Sequence, residues 1–268
     1  MESTTSGTNQ TGAAARPEGA QAMAAAVQRL SPPGEIDTSA AVRERLLYLQ
    51  QSDAVGTVPP PTTLGGSIKT GVAQLLGERP ELLLDKIGER IAFERGGVRL
   101  YDALIVKYQA AAAAAAVLPP IAQALEELGG EPELVQAMRD EQPEQTLARI
   151  RAEELAHFHL LCAAMQRLGG DPSAQTPCAD VIGTASMGLM QVLTDPRTTL
   201  AQSLNAMLTA EMTDNAGWDL LLQLSEKAGE TELSDWFVHA LAQEDQHLQV
   251  IRSWLTALLT VEDKSSAI

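Results

Sequence analysis

Along four long stretches of the chain, apolar residues recur in steps of three and four, the spacing of helices that bury one face. The first stretch follows Pro80 and reads Leu84, Ile87, Ile91, Glu94, Val98, Tyr101, Ile105, Tyr108. The second follows Pro143 and reads Leu147, Ile150, Glu154, His157, Leu161, Ala164, Leu168, stopped by Gly169-Gly170. After Pro196 comes Leu204, Met207, Glu211, Asp214, Trp218, Leu221. Beyond Gly229 the face is Leu233, Phe237, Ala240, Glu244, His247, Ile251, Trp254, Leu258. Each face is apolar above and below but carries ionisable side chains near its middle. No alternating strand pattern of useful length is present, so the predicted fold class is all-α.

The connections suit a four-helix bundle with a long crossover. Glu211 lies 18 residues before Gly229 and Glu244 lies 15 after it. At about 1.5 Å per residue, an antiparallel hairpin brings the two carboxylates to within roughly a turn in height. Residues 169–199 are long enough to run back along the bundle, and VIGTASMGLMQVL (181–193) reads as a helix lying against it. Pro119-Pro120 ends the first helix, and IAQALEELGG and PELVQAMRD read as short helices before the second. At the N-terminal side, residues 1 to about 35 are rich in Ser, Thr, Gly, Ala and Pro and read as a tail. AAVRERLLYLQQ (40–51) reads as a short amphipathic helix able to dock, and GTVPPPTTLGG (56–66) as an extended connector. The expected division is therefore a low-complexity tail and connector over 1–66 and a helical domain over 67–268.

Composition agrees with this pattern and narrows the function. The 268 residues are 45% hydrophobic and only 3% aromatic, which favours helix over sheet. A net charge of −16 argues against general binding to nucleic acid or anionic membranes, both of which need a basic surface. Cys162 and Cys178 make neither a disulfide framework nor a zinc pattern, and Cys162 reads as a small buried filler. The N-terminal residues show no basic segment and no apolar core of a signal peptide. AAAAAAAVLPP (110–120) is too short to span a bilayer. The expected compartment is the cytoplasm.

The polar breaks carry the chemistry. In chain order they are Glu94, then Glu154-x-x-His157, then Glu211, then Glu244-x-x-His247. Residues three apart on a helix face the same way, so each Glu-x-x-His pair presents an oxygen and a nitrogen donor side by side. Two such pairs and two single glutamates at one level of a bundle can hold two metal ions, the ligand pattern of di-iron and di-manganese carboxylate bundles. Four buried carboxylates without counter-charge would have to protonate. Two divalent cations neutralise them and leave two neutral imidazoles as donors. Each ion then has a terminal Glu, a His and a share of two bridging glutamates. Whether Glu94 and Glu244 are terminal or bridging stays open. The alternative reading is a metal-free polar layer of glutamates and histidines bonded to one another.

On these residues the chain from about 80 to 260 resembles the ferritin-like superfamily of ferritins, rubrerythrins and manganese catalases, and is most similar to the rubrerythrin-type pattern. DKIGERIAFERGGVRLYDALI, RIRAEELAHFHLL and VLTDPRTTLAQSLNAMLTAEMTDNAGWDLL also resemble a bacterial group of ferritin-like proteins whose reaction is not established. The resemblance implies that Glu94, Glu154, His157, Glu211, Glu244 and His247 bind two ions, iron or alternatively manganese, and form the catalytic centre. It implies an oxidoreductase in which iron(II) reacts with oxygen or peroxide. Iron storage, manganese catalase activity and a metal-free interaction protein on the same scaffold are the alternatives. No Cys-x-x-Cys pair of a rubredoxin-like centre occurs in the sequence, and the inter-helix insertions exceed a compact ferritin subunit. Self-association stays open.

Neighbouring residues suggest supporting roles. Asp214 resembles the extra carboxylate of rubrerythrin-like sites, or is a partly solvated acid. Glu153 and Gln243, each directly before a ligand glutamate, can accept the outer N–H of a ligand histidine on a facing helix, or face solvent. Tyr101 lies two turns from Glu94 and can bond a ligand or carry an oxidising equivalent, or simply pack in the core. His159 and His239 lie off the seams and read as surface residues.

Overall fold

The computed structural model describes residues 16–31, 37–52, 80–114 and 117–260, and every regular element among them is an α-helix. Chain contacts divide it into two units, Met1–Ala54 and Val55–Ile268. The first contains α1 (Pro17–Leu30), inside the stretch read as a tail, and α2 (Ser39–Gln51), at the expected amphipathic segment. Neither helix buries a residue. The connector 56–66 and residues 67–79 lie outside the described residues.

The second unit holds α3 (Pro80–Ala113), α4 (Ile121–Glu127), α5 (Pro132–Ala137), α6 (Pro143–Arg167), α7 (Pro177–Ala185), α8 (Met187–Thr194), α9 (Leu200–Lys227) and α10 (Thr231–Thr260). Local chemistry sets several boundaries. Pro143 sits in the first turn of α6, where its missing N–H is not needed. Thr199 starts α9 with a reciprocal cap: its hydroxyl accepts the Gln202 N–H at 3.2 Å, and Gln202 returns an oxygen to the Thr199 N–H at 2.9 Å. Gly229, at φ +70°, turns the chain from α9 into α10. Beside it the Glu230 N–H reaches back to the Ser225 carbonyl, a left-handed helix ending that glycine adopts without steric cost.

Of the four long helices, α3 packs along α6 and α9, and α10 packs along α9 and α6, so contacts run from each to two others. The segment expected as one crossover helix is two, α7 and α8, meeting at Ser186. The Ser186 hydroxyl bonds the carbonyls of Ile182 and Gly183 at 2.8 and 3.3 Å and competes with the helical ladder there. Both pieces pack on α3. Asp85 and Thr176 tie the start of the crossover to α3, and Lys107 reaches the carbonyls of Asp195 and Thr198 at its end. Short α4 packs against α10, with α5 against α4.

The predicted faces of α6 and α9 are buried throughout, and that of α10 as far as Trp254, with Leu258 half-buried. On α3 the face departs from expectation past Glu94. Val98 and Ile105 are only half-buried, while Gly97, Leu100 and Leu104 are buried beside Tyr101 and Tyr108. The helix presents a glycine where a valine was expected.

Two apolar clusters result. One gathers Tyr101, Leu104, Leu147, Ile150, Leu204, Met207, Ile251 and Trp254. The other gathers Leu84, Ile87, Leu161, Ala164, Trp218, Leu221, Leu233 and Phe237. On α6, α9 and α10 the polar break falls between the residues given to one cluster and those given to the other, and on α3 Glu94 lies one residue past the change at Phe93.

Candidate metal centre

All six side chains predicted from the sequence come together. Glu94 on α3, Glu154 and His157 on α6, Glu211 on α9, and Glu244 and His247 on α10 are each at most 2% exposed. Their donor atoms fall into overlapping groups, with all atoms of a group within 4.8 Å of one another. One group is Glu154, Glu211, Glu244 and His247; a second is Glu94, His157 and Glu244; a third is Glu94, Glu154, Asp214 and Glu244. Each group could hold a metal ion.

Hydrogen bonds sort the carboxylates. Glu94 Oε1 accepts the Trp218 indole N–H at 2.7 Å and Arg90 at 3.3 Å, leaving Oε2 without a partner. Glu211 Oε1 accepts the Tyr101 hydroxyl at 2.5 Å, and again Oε2 is left over. Each single glutamate is thus held through one oxygen and offers the other, as a monodentate ligand would. Glu244 stands between the histidines, Oε1 lying 2.7 Å from His157 Nδ1 and Oε2 lying 3.3 Å from His247 Nδ1. Neither oxygen has a hydrogen-bond partner. Glu154 shares groups with Glu211 and His247 on one side and with Glu94 on the other. Glu244 belongs to all three groups, Glu94 and Glu154 to two each, and Glu211 to one.

The histidines are aimed from outside. His157 Nε2 lies 3.0 Å from the Gln243 amide oxygen, and His247 Nε2 lies 2.8 Å from Glu153 Oε2. Each outer partner comes from the facing helix and immediately precedes a cluster glutamate. A carboxylate only accepts, so His247 Nε2 carries a proton, and in the neutral imidazole Nδ1 is the lone pair that faces the cluster. Both Nδ1 atoms lack a hydrogen-bond partner.

Seven donor atoms are therefore buried and unpartnered: Glu94 Oε2, Glu154 Oε2, Glu211 Oε2, both Glu244 oxygens and the two Nδ1 atoms. At about 1–3 kcal/mol for each unsatisfied buried group, this would rival the roughly 5–15 kcal/mol that stabilises a whole domain. Positive charge, as protons or as cations, must offset it. Carboxylates and imidazoles are donors that could hold metal ions here.

Without cations, protons take that role. Burial, reinforced by the charges of Glu154 and Glu244, pushes Glu94 and Glu211 well above the usual carboxyl range. Burial opposes a charged His247, but Glu244, Glu153 and Glu154 outweigh it and lift the imidazole well above its ordinary value. His157 is raised for the same reason, chiefly by Glu244. Burial also works against an ionised Glu244, yet the two histidines bring it down to about 2.

Several contacts were not legible beforehand. Arg90, buried one turn before Glu94, forms an ion pair with Asp214. Asp214 is thus fully buried rather than solvated, and it lies within reach of Glu94, Glu154 and Glu244. Gly217 makes room for the guanidinium, because a Cβ there would sit 2.9 Å from Arg90 Cζ. Gly97 makes room for Glu154 in the same way. Position alone could have pointed to Arg90, four residues before Glu94 on the same face. Trp218, read as a core residue, also donates to the cluster. Tyr101 bonds a cluster glutamate, one of its expected roles. His159 and His239 are both exposed, and neither belongs to the cluster. Cys162 and Cys178 are free thiols, both half-buried.

Among the described residues no helix is long and apolar enough to cross a membrane. Compared with protein-family models, curated proteins and solved structures, the chain gives no match. The all-α fold and its buried acid–histidine cluster are compatible with a ferritin-like fold.

Proposed function

We propose that the second unit is a ferritin-like four-helix bundle of the rubrerythrin type, a non-haem dimetal oxidoreductase that reacts iron(II) with oxygen or peroxide. The observation carrying this reading is the set of seven orphaned donor atoms, contributed by four helices and converging between two apolar clusters.

Glu94 with His157 would hold one ion and Glu211 with His247 the other, while Glu154 and Glu244 would be shared. When bound, two iron(II) ions supply the electrons that reduce oxygen or peroxide. The chain's own part is to fix the donors and exclude water. Trp218 and Tyr101 each hold a terminal glutamate by one oxygen, so its other oxygen needs no rotation to reach an ion. Gln243 and Glu153 hold the two imidazoles, so lone pairs face inward without reorganisation. Phe237, Trp218 and Leu161 on one side and Ile150, Met207 and Ile251 on the other wall the layer with apolar surface. That lowers the local dielectric and strengthens each ligand interaction.

The test is anaerobic reconstitution with iron(II), then addition of peroxide or oxygen while the near-ultraviolet and visible absorption is followed. A prompt absorption change that is abolished in Glu154→Ala is expected. An unchanged spectrum with iron bound would leave a storage or binding role. Loading with manganese and rapid oxygen release from peroxide would favour a catalase instead.

A further inference from the structure

We infer that the two ion positions are inequivalent, and that Glu153, acting through His247, makes the Glu211–His247 position the tighter of the two. This rests on the dimetal reading above. The two histidines stand in matching places, three residues after a shared glutamate, but their outer partners differ in charge. His157 meets the neutral amide of Gln243 at 3.0 Å. His247 meets the carboxylate of Glu153 at 2.8 Å.

Glu153 is itself held in place. Its carboxylate accepts Arg149 Nη1 at 2.8 Å, and Arg149 is clamped by Glu141 at 2.8 and 3.3 Å. A carboxylate behind a ligand imidazole both fixes the ring and raises its basicity. An amide fixes the ring and adds no charge.

The single glutamates differ as well. The tied oxygen of the Glu94 ligand lies 3.3 Å from the buried guanidinium of Arg90, whose charge the buried Asp214 carboxylate balances. The matching oxygen of Glu211 receives the neutral hydroxyl of Tyr101. The contrast that weakens the Glu94–His157 position relative to its neighbour is the one behind the histidines, an amide against a carboxylate. The structure assigns a resident ion to Glu211–His247 and an exchangeable one to Glu94–His157, with Glu153 a positioning residue.

The probe is cobalt(II) alone, titrated anaerobically into the metal-free full chain by calorimetry and by its visible absorption. Two binding phases are expected. Repulsion between ions would separate them in any case, so the informative readout is which phase each variant moves. Glu153→Gln should weaken the tight phase about 10–100-fold and leave the weak phase in place. Gln243→Glu should tighten the weak phase, and His157→Ala should remove the weak phase alone. Two cobalt ions bound with the tight phase unmoved in Glu153→Gln would overturn the inference and leave the dimetal reading standing. Should Glu153→Gln not fold, an unmoved weak phase in Gln243→Glu overturns it equally. No cobalt bound by the unsubstituted chain would remove the dimetal reading itself, and this inference with it.

Discussion

Gly97 on α3 lies so close to Glu154 on α6 that a Cβ at position 97 would run into the Glu154 carboxylate. The missing side chain is what leaves room for the Glu154 carboxylate between the helices. Gly96, its neighbour, has open space around the corresponding position.

The pair of glycines makes a controlled experiment. Gly97→Ala should destabilise the protein by about 1–3 kcal/mol through overpacking and should weaken metal binding by displacing Glu154. Gly96→Ala should be neutral or stabilise by about 0.5–1 kcal/mol, because it replaces a helix-interior glycine without a clash. Urea unfolding of both variants, paired with a metal titration, checks the contrast.

Arg90 and Asp214 bury a charge pair next to the cluster. Removing one partner leaves the other uncompensated, so Arg90→Met should cost about 3–5 kcal/mol. Combining it with Asp214→Asn should recover much of that loss, because the stranded carboxylate is gone. Chemical denaturation of the two single variants and the double variant gives the coupling directly. Strictly additive effects would mean that the ion pair does not act as a unit.

The pH dependence of the metal-free protein has a definite sign. Glu94 and Glu211 are raised above the usual 4.5, and His247 above 6.5. A group raised on folding contributes stability that is complete below its unfolded pKa and is lost as pH rises through its folded pKa. These groups therefore make the metal-free protein less stable as pH climbs from about 4.5 into the alkaline range. Glu244, lowered to about 2, acts oppositely: its contribution is present above 4.5 and lost as pH falls toward 2. Metal-free Tm should accordingly be highest under weakly acidic conditions. Bound divalent ions replace those protons, so affinity rises with pH, and the Tm gap between loaded and metal-free protein should widen from pH 5 to pH 8. Thermal scans of both forms over that range check it.

Much of this was legible in the sequence because helical periodicity and the Glu-x-x-His spacing are local signals. A carboxylate in an otherwise apolar face is visible before any fold is known, as at Glu211 or Glu244. The anchors Glu153 and Gln243 could be named too, since each sits beside a ligand and so on the neighbouring edge of the same helix. Which donors group together was not legible, because that depends on how α3, α6, α9 and α10 are turned toward one another. Gly97 was missed for a related reason. Hydrophobic spacing favoured Val98 on the buried face, and only the close approach of Glu154 from another helix explains why a glycine is needed there. Arg90 escaped notice because a charged residue near an apolar face ordinarily reads as solvated, and its partner Asp214 lies 124 positions away.

The central claim is that these six side chains hold two cations, and metal counting tests it most directly. Full-length protein reconstituted anaerobically with iron(II), freed of loose metal and measured by elemental analysis should carry about two ions per chain. Glu154→Ala and His247→Ala, checked for retained helix content, should each fall clearly below that number. A count near zero for the unsubstituted chain, or a count of two that neither substitution lowers, would contradict it.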